Sequence, residues 1–440
     1  MKKMSKPKKK SWKEKQRDRQ LKEKNAQKTY QQQREQSEKS KPRKLPKGKI
    51  IVGLIIILFV VLGAYVIIQN PVTQFTTIYI RADGTIDPTT SSVSKISDNQ
   101  YILLDDISGS IVIEKNNIKL DGANHVLNGN NEAASKGIEL TERTDVIITN
   151  LEITNFDYGI HLFLSSEITL SQNKISNNNN GIWLEHSSNN NIIENELTNQ
   201  YAINLNYSPE NIISDNIISD CEGGIGLIYS SKNDITDNTF SNSQSAIGLA
   251  SYSSNNNILK NIISDCEGGI ALTESSENII SENELTNGSG GFGLSTFSLN
   301  NTISKNQIES LEAGFILHQS PSNLIVENLI SNCGIGLDLT YSYSNIIREN
   351  NVRNSQQYGI ILTNSEDNSI FHNIFDENNN QASSSESVNY WDDGYPSGGN
   401  YWSDYEELYP HSEELDTSGI WNDFYQINEA ERDNYPLINP

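Results

Sequence analysis

The chain is poor in sulfur: its 440 residues include three cysteines and two methionines, and Met1 and Met4 both lie at the N-terminus. The cysteines, Cys221, Cys266 and Cys333, share one position of a repeat, and no two of them are in neighbouring repeats. In a stacked fold, Cα atoms two repeats apart are about 10 Å apart, beyond the reach of a disulfide. We therefore interpret the three cysteines as small buried spacers and expect neither a disulfide framework nor a soft-metal cluster.

Positive charge is scarce beyond the N-terminal segment. Residues 1–49 hold 20 Lys or Arg against 5 Asp or Glu, whereas residues 50–440 hold 13 against 51. The N-terminal segment has almost no apolar residues and cannot bury a core, so we predict a disordered basic tail. Aromatic residues are not interleaved with its basic residues, and we expect no nucleic-acid partner.

Long apolar runs are absent except at residues 50–68, where nineteen consecutive residues carry no charge. This length matches a hydrocarbon core of about 30 Å. Basic residues crowd its N-terminal side, so the positive-inside rule predicts a single-pass signal anchor in the cell membrane. Residues 1–49 would then be cytoplasmic and the remainder extracellular or periplasmic. A cleaved signal peptide is the alternative, but residues 69–71 are not a small-residue cleavage site.

What the chain does have is a repeat of about 22 residues, which reads Gly-Ile-x-Leu and then Asn-x-Ile twice. Its apolar residues alternate, as Ile182 and Leu184 do against Trp183 and Glu185, and this is the period of a strand. Three short strands per repeat predict an all-β fold, a right-handed parallel β-helix of about 12 coils. A left-handed β-helix, which prefers shorter coils, is the alternative. The leading small residues are Gly137, Gly159, Gly181, Ala202, Gly224, Ala246, Gly269, Gly291, Gly314, Gly336 and Gly359.

Asparagine recurs at two fixed positions of the repeat. Asn tolerates a left-handed backbone, bonds its own turn, and can hydrogen-bond along a column when it is stacked. We therefore interpret both series as structural. The first series is Asn190, Asn211, Asn233, Asn255, Asn278, Asn300, Asn323, Asn345 and Asn368. The second series is Asn173, Asn195, Asn216, Asn238, Asn261, Asn283, Asn306, Asn328, Asn350 and Asn373.

The repeat divides the exterior part into three segments. Residues 69–99 are predicted to be a linker and lead-in segment, and residues 100–380 to be the β-helix. Residues 381–440 lose the period and become rich in Tyr, Trp, Asp and Pro. Because the ends of a solenoid must be covered, we expect these last residues to form a compact C-terminal cap.

The repeat resembles the NosD-like family of right-handed parallel β-helix proteins. The C-terminal residues 389–405, NYWDDGYPSGGNYWSDY, and 433–437, DNYPL, are similar to the ending of many archaeal surface members. The broader superfamily includes pectate lyases, polygalacturonases and alginate epimerases. The resemblance implies a cell-surface or periplasmic role, and the family name implies an accessory role in copper-cluster assembly.

Large side chains occupy the outward positions of the first strand in the first four repeats, whereas later repeats place Gly226, Gly248, Ala271 and Gly293 there. Aromatic faces stack on sugars, and carboxylates and amides bond their hydroxyls, so we expect a carbohydrate-binding patch. The function we predict is that of a non-catalytic cell-surface protein that either binds carbohydrate or contributes to the structure of the envelope. The candidate residues are Glu139, His161, Phe163, Trp183, Glu185, His186, Asn204, Asn206 and Tyr207.

A polysaccharide lyase, hydrolase or epimerase is the alternative function, because Glu139 and Glu185 are two coils apart with His161 between them. Neither the catalytic motif of polygalacturonases nor that of alginate epimerases is present, so we assign no catalytic residue. We expect no cofactor. Asp392, Asp393 and Asp404 are hard ligands that could hold calcium, although their spacing matches no EF-hand loop and surface acid on a cap explains them as well.

Overall fold

The computed structural model describes residues 75–440, which form an all-β parallel solenoid of about 13 turns. The predicted parallel β-helix is thus confirmed. Each turn contributes one strand to each of three faces, which we call face 1, face 2 and face 3 in chain order. Within these residues, no helix is both long enough and apolar enough to cross a membrane. The predicted tail at 1–49 and span at 50–68 lie outside the described residues.

The strands stack in parallel along each face, except that Val93–Ser97 at the start of face 2 is antiparallel to its neighbour. Face 1 contains Thr76–Ile80, Ile107–Ile113, Lys136–Thr141, Tyr158–Phe163, Asn180–Glu185, Tyr201–Asn206, Gly223–Ile228, Ser245–Ala250, Gly268–Thr273, Gly290–Ser295, Ala313–His318, Ile335–Thr340, Tyr358–Thr363 and Ala382–Ser385. Face 2 contains Val93–Ser97, Gln100–Leu103, Ile118–Asp121, Thr144–Thr149, Ser166–Ser171, Asn191–Ile193, Ile212–Ser214, Asp234–Thr236, Asn257–Leu259, Ile279–Ser281, Thr302–Ser304, Leu324–Val326, Ile346–Arg348 and Ser369–Phe371. Face 3 contains Val126–Asn128, Glu152–Thr154, Lys174–Ser176, Glu196–Thr198, Ile217–Ser219, Thr239–Ser241, Ile262–Ser264, Glu284–Thr286, Gln307–Glu309, Leu329–Ser331, Asn351–Arg353, Ile374–Asp376 and Tyr401–Trp402.

A few elements lie outside this pattern. Ile86–Asp87 pairs antiparallel with the first strand of face 1, and Val93–Ser97 pairs antiparallel with Gln100–Leu103. Tyr425–Gln426 and Arg432–Asp433 form a short antiparallel hairpin, and the one helix among the described residues is Tyr405–Leu408. These elements cover the two ends of the solenoid.

Alternation of side chains within each strand builds the core. Ile182 and Leu184 are fully buried, whereas Trp183 and Glu185 point outward and are half-buried, as predicted. The stacked strands keep this register, so that Ile182 pairs with Ile203 in the next turn. Because the same position is apolar in every turn, the interior is a set of continuous Ile and Leu columns, which remove their surface from water together.

Two asparagine ladders run through the corners of the solenoid. In the second series, Asn216 donates from Nδ2 to Oδ1 of Asn238 at 2.9 Å, and its backbone N–H donates to the same oxygen at 3.0 Å. The predicted columns of amides are therefore present. The left-handed backbone lies one residue earlier, however, at Glu194 before Asn195 for example, so the ladder residues act through their side chains.

The first series needs a correction at two turns. The buried ladder residues there are Asn256 and Asn301, whereas the predicted Asn255 and Asn300 are exposed and have positive φ angles. The turns that begin at Ala246 and Gly291 are each 23 residues long, and the extra residue is accommodated just before the ladder position. Ladder pairing fixes which Asn is buried, since Asn301 Oδ1 receives the Asn278 amide at 3.0 Å.

The three cysteines lie at the corner between face 3 and face 1, and all three are buried and free. Cys221 occupies the position held by Asn199 in the preceding turn, and its backbone N–H donates to Ser243 Oγ in the following turn. Burial raises the pKa of each thiol above its usual value. Their interpretation as buried spacers is confirmed.

The C-terminal hairpin ends both ladders with carboxylates. Asn389, the last residue of the first ladder, donates its backbone N–H to Glu431 Oε1 at 2.6 Å. Asn400, the last residue of the second ladder, donates its backbone N–H to Asp433 Oδ2 at 2.7 Å. Trp402 Nε1 donates to the same oxygen at 2.9 Å. The two carboxylates thus replace the amide oxygens of an absent next turn.

Candidate functional site

The nine predicted site residues lie on four successive turns of face 1 and the corner after it. Glu139, His161, Trp183 and Asn204 form one outward column of paired positions, and Thr141, Phe163, Glu185 and Asn206 form the next. His186 and Tyr207 follow directly at the corner between face 1 and face 2. The structure therefore brings the predicted set together, because residues one repeat apart become vertical neighbours about 4.8 Å apart.

His161 is the most enclosed member of this set, with 8% of its surface exposed. Its Nε2 lies 3.9 Å from Glu185 Oε2, and its Nδ1 is buried without a hydrogen-bond partner. Burial lowers the pKa of His161, and the nearby Lys136 lowers it further, against the opposing charges of Glu139 and Glu185. The imidazole is therefore held neutral at physiological pH, with an unused ring nitrogen.

Two further residues belong to this cluster that the sequence pattern did not predict. Tyr158 packs its ring 5.4 Å from that of His161 and 5.7 Å, edge-on, from that of Trp183. Lys136 Nζ lies 2.6 Å from Glu139 Oε1. Both residues directly precede the leading small residue, a position that the outward pattern of the strand did not include. The same position holds Gly223, Gly268 and Gly290 in later turns, and this contrast was the available signal.

An aromatic column continues along the corner after face 1. The rings of His186 and Tyr207 stack at 5.0 Å, and those of Tyr207 and Tyr229 stack at 4.7 Å. Tyr252 extends the column, and Phe163 meets its other end edge-on. The inner ring faces therefore cover one another, so this column presents ring edges and phenol hydroxyls to solvent. Trp183 and Tyr158 lie outside this column and are half-buried.

In the middle turns of face 1, the outward column that contains Trp183 holds only glycine or alanine. An added Cβ would meet nothing within 4 Å at Gly248 or Gly293, so both glycines lie open to solvent. In the turns after Gly293, the same outward column again holds large side chains, Ile316 and Asp338. Burial raises the pKa of Asp338. This outward column therefore has large side chains on both sides of a stretch of glycine and alanine.

The three cap aspartates considered for calcium are each engaged separately. Asp392 Oδ2 accepts from Asn434, Asp393 Oδ2 accepts from Ser397, and Asp404 Oδ2 accepts from Tyr425. Within residues 75–440, no group of three or more His, Cys, Asp or Glu side chains is placed to hold one metal ion.

Comparison with protein families gives one match. The sequence matches the family model described as periplasmic copper-binding protein (NosD) over residues 82–250 and 244–407. The two ranges together cover nearly all of the solenoid and the start of the cap. No curated protein matches the sequence.

Solved structures with similar folds include phage tailspikes and an epimerase. The Dettilon tailspike protein aligns with a TM-score of 0.39 and 12% identity, over 58% of this chain and 60% of its own. The tailspike of E. coli bacteriophage HK620, in complex with a hexasaccharide, gives 0.45 and 9%, over 65% and 60%. The A-module of the Azotobacter vinelandii mannuronan C-5 epimerase gives 0.35 and 11%, over 64% and 90%. The chain thus spans about 60% of the length of either tailspike.

Proposed function

This chain belongs to the NosD family, and within that family we propose that it is a membrane-anchored protein that binds carbohydrate outside the cytoplasm. The proposed ligand site is the N-terminal part of face 1, built around Trp183. The solenoid is proposed to be right-handed, the hand that parallel strand crossovers adopt. Residues 50–68 are proposed to anchor it, with the described residues on the extracellular or periplasmic side.

The observation that carries this proposal is the concentration of ring and hydrogen-bonding groups on four N-terminal turns of face 1, whereas the next four turns hold only glycine or alanine in the same outward column. Trp183 and Tyr158 offer partly exposed ring surface, while Glu185 and Asn206 offer oxygen and nitrogen atoms beside it. Sugars are recognised by this combination, in which rings cover their apolar faces and polar groups bond their hydroxyls. A surface that served only to enclose the core would not need to differ between turns.

Replacement of Phe163 and Trp183 tests the proposal. The full-length Phe163→Ala/Trp183→Ala variant should lose retention on a glycan array, while its thermal unfolding midpoint stays close to that of the wild type. Both side chains are outward, so little core packing is removed. Phe297→Ala is the matched control, since Phe297 is an exposed aromatic residue on a distant turn. Unchanged retention by the double variant would refute carbohydrate binding at this face.

A polysaccharide-active enzyme is the second candidate, and the geometry of His161 supports it. A neutral imidazole with a free Nδ1 and a carboxylate 3.9 Å from Nε2 has the elements of a general base. Incubating the full-length protein with uronic-acid polymers and measuring unsaturated or new reducing ends tests this candidate. Product that disappears in His161→Gln would favour the enzyme over the binding protein.

Copper, which the family description names, does not fit the described residues. Cu⁺ is held by Cys, Met or clustered His ligands, and Cu²⁺ most often by His. Here the cysteines are buried in separate turns, and both methionines precede residue 75. Two of the six histidines, His161 and His186, lie in successive turns, and the other four belong to other turns or to the cap. Within residues 75–440, these imidazoles belong to no group of three or more potential ligands that could hold one ion. We therefore derive no copper chemistry for this chain.

A further inference from the structure

A long groove follows the corner between face 3 and face 1, away from the cluster around Trp183. Two adjoining hollows of about 640 and 430 Å³ share Gly288 and Ser310, and together their lining extends from Asp265 to Gln357. This corner groove crosses five turns, because the strands that follow it pair in the order Gly268, Gly290, Ala313, Ile335 and Tyr358. Its length is therefore about 19 Å.

Two glycines deepen the corner groove. A Cβ at Gly288 would lie 2.1 Å from the Cys266 carbonyl oxygen, and one at Gly334 would lie 2.4 Å from the Glu312 carbonyl oxygen. The backbone therefore approaches the preceding turn more closely than a side chain would permit. Between the two glycines, Leu311 provides a buried apolar floor.

The polar side chains of the corner groove differ from those at the same corner in earlier turns. There they pair between turns: Asn179 donates to Asp157 at 2.8 Å, and Gln200 donates to Glu222 at 2.9 Å. In the groove, by contrast, some exposed side chains make no hydrogen bond or ion pair with any other described residue. They are Glu267, Glu312, Gln356 and Gln357. Their donors and acceptors are available to a ligand.

The negative charge of the groove lining favours an uncharged ligand over an anionic one. Asp265, Glu267 and Glu312 line the corner groove, and no Lys, Arg or His among the described residues does so. A polyanion would be repelled, whereas hydroxyl groups can bond both carboxylates and amides. The lining also offers no deep apolar pocket for the side chains of a peptide. We propose that the corner groove binds an extended, uncharged glycan chain along the solenoid axis. The inference rests on the proposed carbohydrate-binding function but uses a separate site.

The test isolates the corner groove in a background that lacks the face 1 site. The full-length Phe163→Ala/Trp183→Ala protein is made in a host without N-glycosylation, because Asn287-Gly288-Ser289 is an acceptor sequence at the groove rim. It is titrated calorimetrically with cellohexaose and chitohexaose, and with hexagalacturonate as the acidic probe. We expect one uncharged hexamer to bind per chain and hexagalacturonate to bind much more weakly.

Adding Gln356→Ala and Gln357→Ala should weaken binding of that hexamer about tenfold, since two ligand hydrogen bonds are lost. Adding Gln200→Ala and Glu222→Ala instead should not weaken it, because that pair lies at the same corner outside the groove. The inference is overturned if neither uncharged hexamer binds, if hexagalacturonate binds as well as they do, or if both pairs of substitutions act alike. Binding that is present in the wild type but lost in the Phe163→Ala/Trp183→Ala background refutes the groove alone and leaves the face 1 site intact.

Discussion

The inward and outward sides of face 1 belong to the same strands, yet they vary in opposite ways along the solenoid. Inward positions repeat from turn to turn, as in the stacked Ile160, Ile182 and Ile203. Outward positions change from Trp183 and its neighbours to the open Gly248 within three turns. The repeated side determines the fold, because each turn can be buried only by a matching neighbour. The varying side is free of that requirement, and its residues can therefore differ from turn to turn without loss of the fold.

Glycine substitutions should show the difference between buried and outward positions most strongly. Gly224→Val would place a side chain 2.3 Å from the Ala246 carbonyl oxygen and 2.9 Å from the Phe240 ring, and should cost about 3 kcal/mol. Gly248→Val, one turn later, should change stability by less than about 1 kcal/mol, since the space above Gly248 is open. Urea unfolding of the two variants measures the difference. Equal losses would show that outward positions are as constrained as inward ones.

The ladder offers a second pair of neighbouring positions with opposite environments. Asn301 accepts the Asn278 amide and donates to Ser275 O and Asn323 Oδ1, so Asn301→Ala leaves buried donors and acceptors unpaired. It should lower the free energy of unfolding by about 2 kcal/mol. Asn300→Gly should be nearly neutral, because Asn300 is exposed and has a φ of 56°. A larger loss for Asn300→Gly in urea unfolding would contradict the observed register.

Asp433 lies at the end of the second asparagine ladder, where its carboxyl group takes the place of the next amide. Burial raises the pKa of Asp433 to about 7, whereas the ordinary pKa of an aspartate in an unfolded chain is 3.8. Between these values the folded state binds more protons than the unfolded state, so the contribution of Asp433 to stability falls as pH rises through about 7. The thermal midpoint of the wild type, relative to Asp433→Asn, should therefore drop by about 2–4 °C between pH 5 and pH 8.

Comparing the two proteins at each pH cancels the titration of other groups. This includes His161, whose lowered pKa makes stability rise with pH and so works in the opposite direction. A difference between the two midpoints that stays constant from pH 5 to pH 8 would show that Asp433 keeps an ordinary pKa in the folded state.

Most of the fold was predictable from the sequence because the repeat expresses it in every turn. The alternation of Ile182 and Leu184 with Trp183 indicated strands, and the common interval indicated stacking. The prediction failed locally at Asn255 and Asn300, which lie in runs of three and two adjacent asparagines. Sequence spacing alone could not show which asparagine of a run meets the ladder residues of the neighbouring turns, since that depends on where the longer turn accommodates its extra residue.

The candidate site was predictable in its membership but not in its contacts. Spacing placed Glu139, His161 and Trp183 in one column, which the strand register confirms. It could not show that Tyr158 encloses His161, because that contact depends on the direction of a side chain at the strand entrance. Nor could it reveal Asp433 as a ladder end, because the cap has no period from which long-range partners can be read.

The capping hairpin also sets how the protein can change in length. Glu431 and Asp433 meet only the last residue of each ladder, and every turn between Asn190 and Asn373 presents the same two amides. Insertion or deletion of a whole turn would leave that fit intact and would move the cap by about 4.8 Å. The identical decapeptides at 216–225 and 261–270 are what duplication of such units would leave behind. Gene rearrangement could thus change the length of the solenoid while its C-terminal end stayed covered by the same hairpin.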